Sequence, residues 1–170
     1  MYATLTKYLS RIFKKKTIFR YGFNISPMYR RSTGRIIEVS EDILSVKIRI
    51  PLSYKNSNYV GSIFGGSLFS ATDPIYMVQL IHILGDKYVV WDKESTIKFK
   101  RPAKEAVYAD FNFSPEEIDQ IKKDVAQNNE IDIKKTLNIT DQQGSSIIAE
   151  VSKIIYVADK TYFKNKRKKK

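Results

Sequence analysis

The stretch from Asn58 to Leu84, NYVGSIFGGSLFSATDPIYMVQLIHIL, constrains this chain more than any other part of it. A polar loop passes through Gly61 and the pair Gly65-Gly66 and then turns into an apolar run. From Leu68 to Leu84 the only acidic or basic side chains are Asp73 and His82, the single histidine. The run is too long for a strand, and too short and too interrupted for a membrane span. Apolar residues fall on nearly every side, as in a helix buried all round. Such a helix needs a wrapping, and the remaining sequence offers strands to supply it. Pro74 removes the N–H that would bond the carbonyl of Ser70, so a kink is expected beside Asp73.

Those strands are marked by alternation. Residues 34–40 and 43–50 read as two strands; Leu44, Val46, Ile48 and Ile50 alternate with Ser45, Lys47 and Arg49. Residues 88–101 form a long strand, expected to put Val89, Trp91, Ile97 and Phe99 on one face and Lys98 and Lys100 on the other. Val107, Ala109, Phe111 and Phe113 mark the next strand. Ser114-Pro115-Glu116-Glu117 is a helix start, with Ser as N-cap, Pro at the first position and Glu at the third. Strands over residues 131–139 and 147–157 flank a turn at Asp141–Gly144. Hairpins dominate this order, so the expected fold is α+β, an antiparallel sheet curled round one central helix.

The 170 residues suffice for one domain with a buried core. With no cysteine there is neither a disulfide framework nor a thiolate metal site, and the lone histidine has no carboxylate cluster near it. No metal is expected. No secretory signal is visible, and a cytoplasmic location is expected. The net charge of +12 is concentrated at the ends. Residues 1–37 hold nine Lys or Arg and no acid, residues 164–170 hold six more, and the body between is nearly neutral. Residues 2–16 show the pattern of a basic amphipathic helix, which suits either packing on the domain or contact with an anionic membrane surface. The basic end is expected to be a solvated tail. The expected division is an N-terminal helix and lead-in over 1–22, a domain over 23–160 and a basic tail over 161–170.

Chemistry concentrates in the central segment. Unpaired N–H groups and the positive end of the dipole meet at a helix N-terminus, and glycine lets a ligand approach them. Gly65 and Gly66 are therefore candidates for a backbone oxyanion hole. Asp73 is the candidate general base or nucleophile, with a structural carboxylate held by a hydroxyl or backbone donor as the alternative. Eight residues of helix separate Gly65 from Asp73 by about 12 Å, which suggests that two antiparallel copies share each site as a homodimer. His82 lies on the opposite side of the helix from Asp73 and is expected to be structural.

These residues resemble the hotdog-fold thioesterases of the phenylacetyl-CoA thioesterase type. The pattern there is an Asn, then His-Gly-Gly, then an Asp nine residues beyond the His. Here Asn58 stands six residues before Phe64, Gly65-Gly66 follow, and Asp73 lies nine after Phe64, which occupies the His position. The segments NYVGSIFGGSLFSATDPIYM, LGDKYVVWDK and IKFKRP look more closely like an uncharacterised branch of that superfamily in which Phe and Asp-Pro are usual. The resemblance spans residues 23–157. It implies a hotdog fold and an acyl-CoA thioesterase: Asp73 as nucleophile or base, Gly65 and Gly66 polarising the carbonyl, and Asn58 orienting water or substrate. Phe64 and Gly61 would line the substrate site, and Lys98, Lys100 and Arg101 would meet coenzyme A phosphates. Coenzyme A enters only as part of the substrate, so no separate cofactor is implied. An acyl-CoA or another acyl thioester is the implied partner, in a homodimer that related proteins pair again into a tetramer. Two alternatives stay open: a non-catalytic acyl-CoA or fatty-acyl binder, and an adaptor that meets a membrane surface or nucleic acid through the basic ends.

Overall fold

A computed structural model describes residues 13–168. The apolar segment is two helices, α3 (Gly65–Thr72) and α4 (Ile75–Leu84), broken at Asp73-Pro74 where proline was expected to interrupt the hydrogen-bond ladder. Before them come α1 (Lys15–Ile25), the short α2 (Pro27–Arg31), and strands β1 (Arg35–Val39) and β2 (Ser45–Ile50). After them come β3 (Tyr88–Phe99), β4 (Val107–Asn112), α5 (Pro115–Asn128), β5 (Glu130–Thr140), β6 (Ile147–Asp159) and α6 (Lys160–Lys168). The six strands form one antiparallel sheet in the order β1-β2-β4-β5-β6-β3.

One face of the sheet packs on the two central helices. Leu68, Ala71, Ile75, Tyr76 and Leu80 are buried against Ile48, Ala109, Ile139, Val151 and Ile155 in a single apolar core. The helices are not buried all round: Ser70 and Ile81 are exposed. Gln79 is fully buried and donates through Nε2 to the carbonyls of Ile43 (3.0 Å) and Phe111 (3.3 Å), which ties α4 to the turn before β2 and to β4. His82 sits edge-on to Phe19, with ring centroids 5.5 Å apart. Burial, helped by the charge of Lys15, lowers its pKa below the usual histidine value, in keeping with a structural role. The start of α5 is as expected: Ser114 Oγ accepts from the Glu117 N–H, and the Glu117 carboxylate accepts from the Ser114 N–H.

The alternation expected along β3 fails at one point. A bulge between Asp92 and Glu94 adds a residue and reverses the faces beyond it. Trp91 lies opposite Tyr156 on the outer face, whereas Ile97 lies opposite Val151 and Phe99 opposite Ala149 on the helix-covered face. Trp91 and Ile97 therefore point to opposite sides, and Asp92 joins Val90 on the inner one.

The helix expected over residues 2–16 lies mostly outside the described residues. The boundary expected at residue 22 falls inside α1, whose Phe19 and Phe23 pack together against the core. At the other end, the stretch expected to be a solvated tail is helix α6 through Lys168. Phe163 meets Trp91 edge-on at 5.2 Å, and Lys166 Nζ donates to Glu130 Oε1 at 2.6 Å. The charge run hid the Tyr162-Phe163 pair that anchors this helix. Aromatic pairs contribute about 0.5–1.5 kcal/mol beyond area burial, so Phe163→Ala is expected to destabilise by about 1–2 kcal/mol. It should also red-shift the emission of Trp91, the single tryptophan. Unchanged emission would show that α6 does not rest on the sheet in solution.

Candidate active site

Phe64 is the N-cap of α3, and its N–H donates to the Asn56 carbonyl at 2.7 Å. Gly65 and Gly66 follow as the first two helical residues, where N–H groups have no partner within the helix. Two rings close over them. A Cβ on Gly65 would lie 2.6 Å from the Phe99 ring, and one on Gly66 would lie 2.3 Å from the Phe64 ring. At both positions glycine lets an exposed ring lie directly against the backbone. Both rings are more than half exposed, Phe64 at 58% and Phe99 at 56%, so they form an apolar rim around the helix start. Gly66→Ala is expected to swing the Phe64 ring aside and narrow this rim while shifting stability by less than about 1 kcal/mol. Thermal melting together with an activity assay checks it; a large fall in Tm would mean that Phe64 cannot yield.

At the other end of α3 stands a cluster that the sequence reading did not assemble. Lys153, on the inner face of β6, is wholly buried. Its Nζ donates to the Asp73 backbone carbonyl, to Asp73 Oδ1 at 3.1 Å and to Asp92 Oδ2 at 2.6 Å. All three ammonium protons thus have acceptors. The Asp73 side chain is 50% exposed and the Asp92 side chain 18%. Burial pushes the pKa of Asp92 up; the hydrogen bond and charge of Lys153 oppose this, and the charge of Asp73 adds to it. Asp92 Oδ1 is buried without a hydrogen-bond partner. Asp73 is therefore held by a lysine rather than by a hydroxyl or backbone donor. One signal in the sequence pointed here: Lys153 interrupts the inward-facing series Ala149, Val151, Ile155 and Val157.

The remaining candidates are spread out. Asn58 is engaged within its own loop: Oδ1 accepts from the N–H groups of Val60 (3.1 Å) and Ser62 (3.0 Å), and Nδ2 donates to Ser62 Oγ at 2.9 Å. Gly61 takes φ +74° in that loop, a conformation that favours glycine, and its N–H donates to the Asn58 carbonyl at 3.0 Å. Lys98 lies opposite Glu150 on the outer face of the sheet, and Lys100 and Arg101 are exposed just past the end of β3. The structure thus brings Phe64, Gly65, Gly66 and Phe99 together, and separately Asp73, Asp92 and Lys153. The eight-residue step from Gly65 to Asp73 sets the two groups about 12 Å apart along the helix direction. Among the described residues, no group of three or more His, Cys, Asp or Glu could hold a metal ion.

An antiparallel sheet laid over a glycine-opened central helix is the hotdog fold. This chain belongs to the family described as a domain of unknown function, DUF4442, whose pattern matches residues 15–157. A Pseudomonas aeruginosa protein of unknown function, named a probable thioesterase, superposes with a TM-score of 0.74 at 23% identity over 84% of this chain and 95% of its own. A thioesterase from Haemophilus influenzae superposes at 0.54 with 13% identity, over 94% of this chain and 91% of its own. Zebra fish thioesterase superfamily member 2 superposes at 0.57 with 16% identity, over 83% and 94%. No curated protein matches the chain.

Proposed function

We propose that this protein is a thioester hydrolase acting on acyl-CoA. The observation that carries the reading is the geometry of α3. Glycine amides without partners in their own helix open it under an apolar aromatic rim, and a half-exposed carboxylate closes it, anchored from below by Lys153. The names of the superposed proteins support the same chemistry. The acyl chain enters past Phe64 and Phe99, with Gly61 and its loop beside them, and the thioester oxygen meets the amides of Gly65 or Gly66. Asp73 takes a proton from water as its oxygen attacks the carbonyl carbon. The tetrahedral oxyanion rests on the amides and then collapses, the C–S bond breaks, and coenzyme A leaves as the thiolate and is reprotonated. Asn58 shapes the loop beside this site, and Lys98, Lys100 and Arg101 are one candidate set of phosphate contacts. No other cofactor takes part. A cytoplasmic location belongs to this reading; no helix among the described residues is long and apolar enough to cross a membrane.

The 12 Å separation asks for a second copy, so that the glycines of one chain face Asp73 of the other. Two features support a homodimer. Among the described residues, strand β3 bonds only to β6 and leaves its outer edge free over twelve residues, which is where another strand adds. The surface of α3 around Gly66 and Ser70 is exposed in the single chain. A non-catalytic acyl-CoA binder is the second reading, favoured by three hydrogen bonds that engage Asn58 within its loop and by Phe64 standing in the His position.

Acyl-CoAs of graded chain length, assayed by thiol release, test the reaction. No release anywhere in the series, with retained binding, selects the second reading. Mixing Asp73→Asn with Gly66→Val tests sharing. Hetero-dimers should recover up to about half of the wild-type activity per site pair, since one of their two sites has both groups intact. A mixture that exchanges subunits and stays inactive would place each site within one chain.

A further inference from the structure

A second concave site lies on the path into α3. It is a cavity of ≈ 630 Å³ between α2, the start of β1 and the loop after β2. This is within the range of small-molecule sites, about 300–1,000 Å³. Arg30, Arg31, Arg35 and Lys55 line it, and no carboxylate does. The ion pairs among the described residues leave all four unmatched. Cations converging on one concavity repel one another and raise the local potential for an anion.

The floor is rigid. Thr33 is held at φ +67°, a conformation that a β-branched side chain rarely adopts. Its hydroxyl donates to the Ser32 carbonyl (2.6 Å) and accepts from Asn56 Nδ2 (2.7 Å). Asn56 is buried, donates also to the Pro51 carbonyl (2.8 Å), and accepts from the Ser53 N–H (2.8 Å). The carbonyl of the same Asn56, which lies behind the lining residues Thr33 and Ser53, receives the Phe64 N–H and so links the pocket's backing to the residue that caps the glycine helix. Exposed Tyr54 stands at the rim with Lys55 Nζ 5.6 Å from its ring centre.

We propose that this pocket binds the phosphates of the nucleotide end of coenzyme A, with the adenine against Tyr54. Guanidinium groups match phosphate oxygens in bidentate pairs, and an aromatic face stacks on a purine. The pantetheine arm then runs from the pocket toward the exposed Phe64 ring and Gly65. The inference rests on the acyl-CoA reading for its choice of ligand, and it locates the phosphates away from Lys98, Lys100 and Arg101.

Free coenzyme A has no thioester, so binding can be measured without turnover. Calorimetric titration of the full chain with coenzyme A, dephospho-coenzyme A and pantetheine should give affinity falling in that order. Arg31→Gln with Arg35→Gln should weaken coenzyme A roughly tenfold or more, leave pantetheine unchanged and keep Tm. Lys98→Gln with Lys100→Gln should change coenzyme A affinity less than about twofold. Pyrophosphate should compete with coenzyme A in the parent and not in the arginine variant. If the arginine variant binds coenzyme A like the parent, or if the loss follows Lys98 and Lys100, the pocket is not the phosphate site. Absence of coenzyme A binding to the parent also overturns it. Hydrolysis that persists with such a result leaves the thioesterase reading standing. Arginine-dependent binding without hydrolysis of any acyl-CoA would sink that reading and keep the site.

Discussion

Asp73→Asn is expected to lower kcat for acyl-CoA hydrolysis by roughly 100- to 10,000-fold, the range over which a positioned general base contributes. The replacement keeps the shape of the side chain. Its amide oxygen can still accept from Lys153 Nζ, and the backbone carbonyl of residue 73 accepts a bond from the same ammonium whatever the side chain. The half-exposed position also makes loss of one charge tolerable to the fold. Melting temperature should move by only a few degrees and coenzyme A affinity should persist, so that the loss appears in kcat rather than in folding. A variant that turns over at the wild-type rate would leave Asp73 as a structural partner of Lys153. A variant that fails to fold would say the same by a different route, and Asp73→Glu, which keeps the charge, would then separate geometry from acid–base chemistry.

The glycine–aspartate frame was legible because its signals are local. A glycine pair before an apolar run, a proline beside an acid and a serine–glutamate capping box each act within a few residues of chain, and each appears where the spacing put it. The antiparallel strands were legible for the same reason, since period-2 alternation needs no knowledge of partners. What escaped was whatever depends on a neighbour distant in sequence. The bulge at Asp92–Glu94 is visible only through pairing with β6, and it reverses the face of every residue beyond it. Lys153 lies 80 residues from Asp73 and 61 from Asp92, so its role exists only once the sheet has closed over the helix. The helical end was hidden by composition: six basic residues outweigh one Tyr-Phe pair in any reading by charge, yet Phe163 needs only the exposed face of Trp91 to dock. The basic pocket was missed because its four cations come from three separate elements and look like scattered surface charge along the chain.

Lys153→Met is the substitution with the largest expected effect on stability, about 3–5 kcal/mol, as when one member of a buried ion pair is removed. Methionine fills most of the space, so the loss comes from charge rather than from a cavity. Two carboxylates are left close together, and Asp92 loses the one hydrogen-bond donor it has among the described residues while already having one unpartnered oxygen. The sign with pH follows from Asp92. Its pKa is raised in the folded chain, so ionisation opposes folding, and this contribution to stability falls as pH rises from the ordinary aspartate value through the raised one. Without the opposing ammonium the rise is larger. The deficit of Lys153→Met should therefore be greatest near neutral pH and should shrink on acidification, as Asp92 takes up a proton. Urea unfolding of both proteins at pH 7.5 and at pH 4.5 measures this. Adding Asp92→Asn to Lys153→Met should restore more than half of the lost stability at pH 7.5 and little at pH 4.5. A Lys153→Met variant within 1 kcal/mol of wild type at both pH values would mean that the ammonium does not bridge the two carboxylates, and the anchoring of Asp73 would have to come from its place at the α3–α4 break alone.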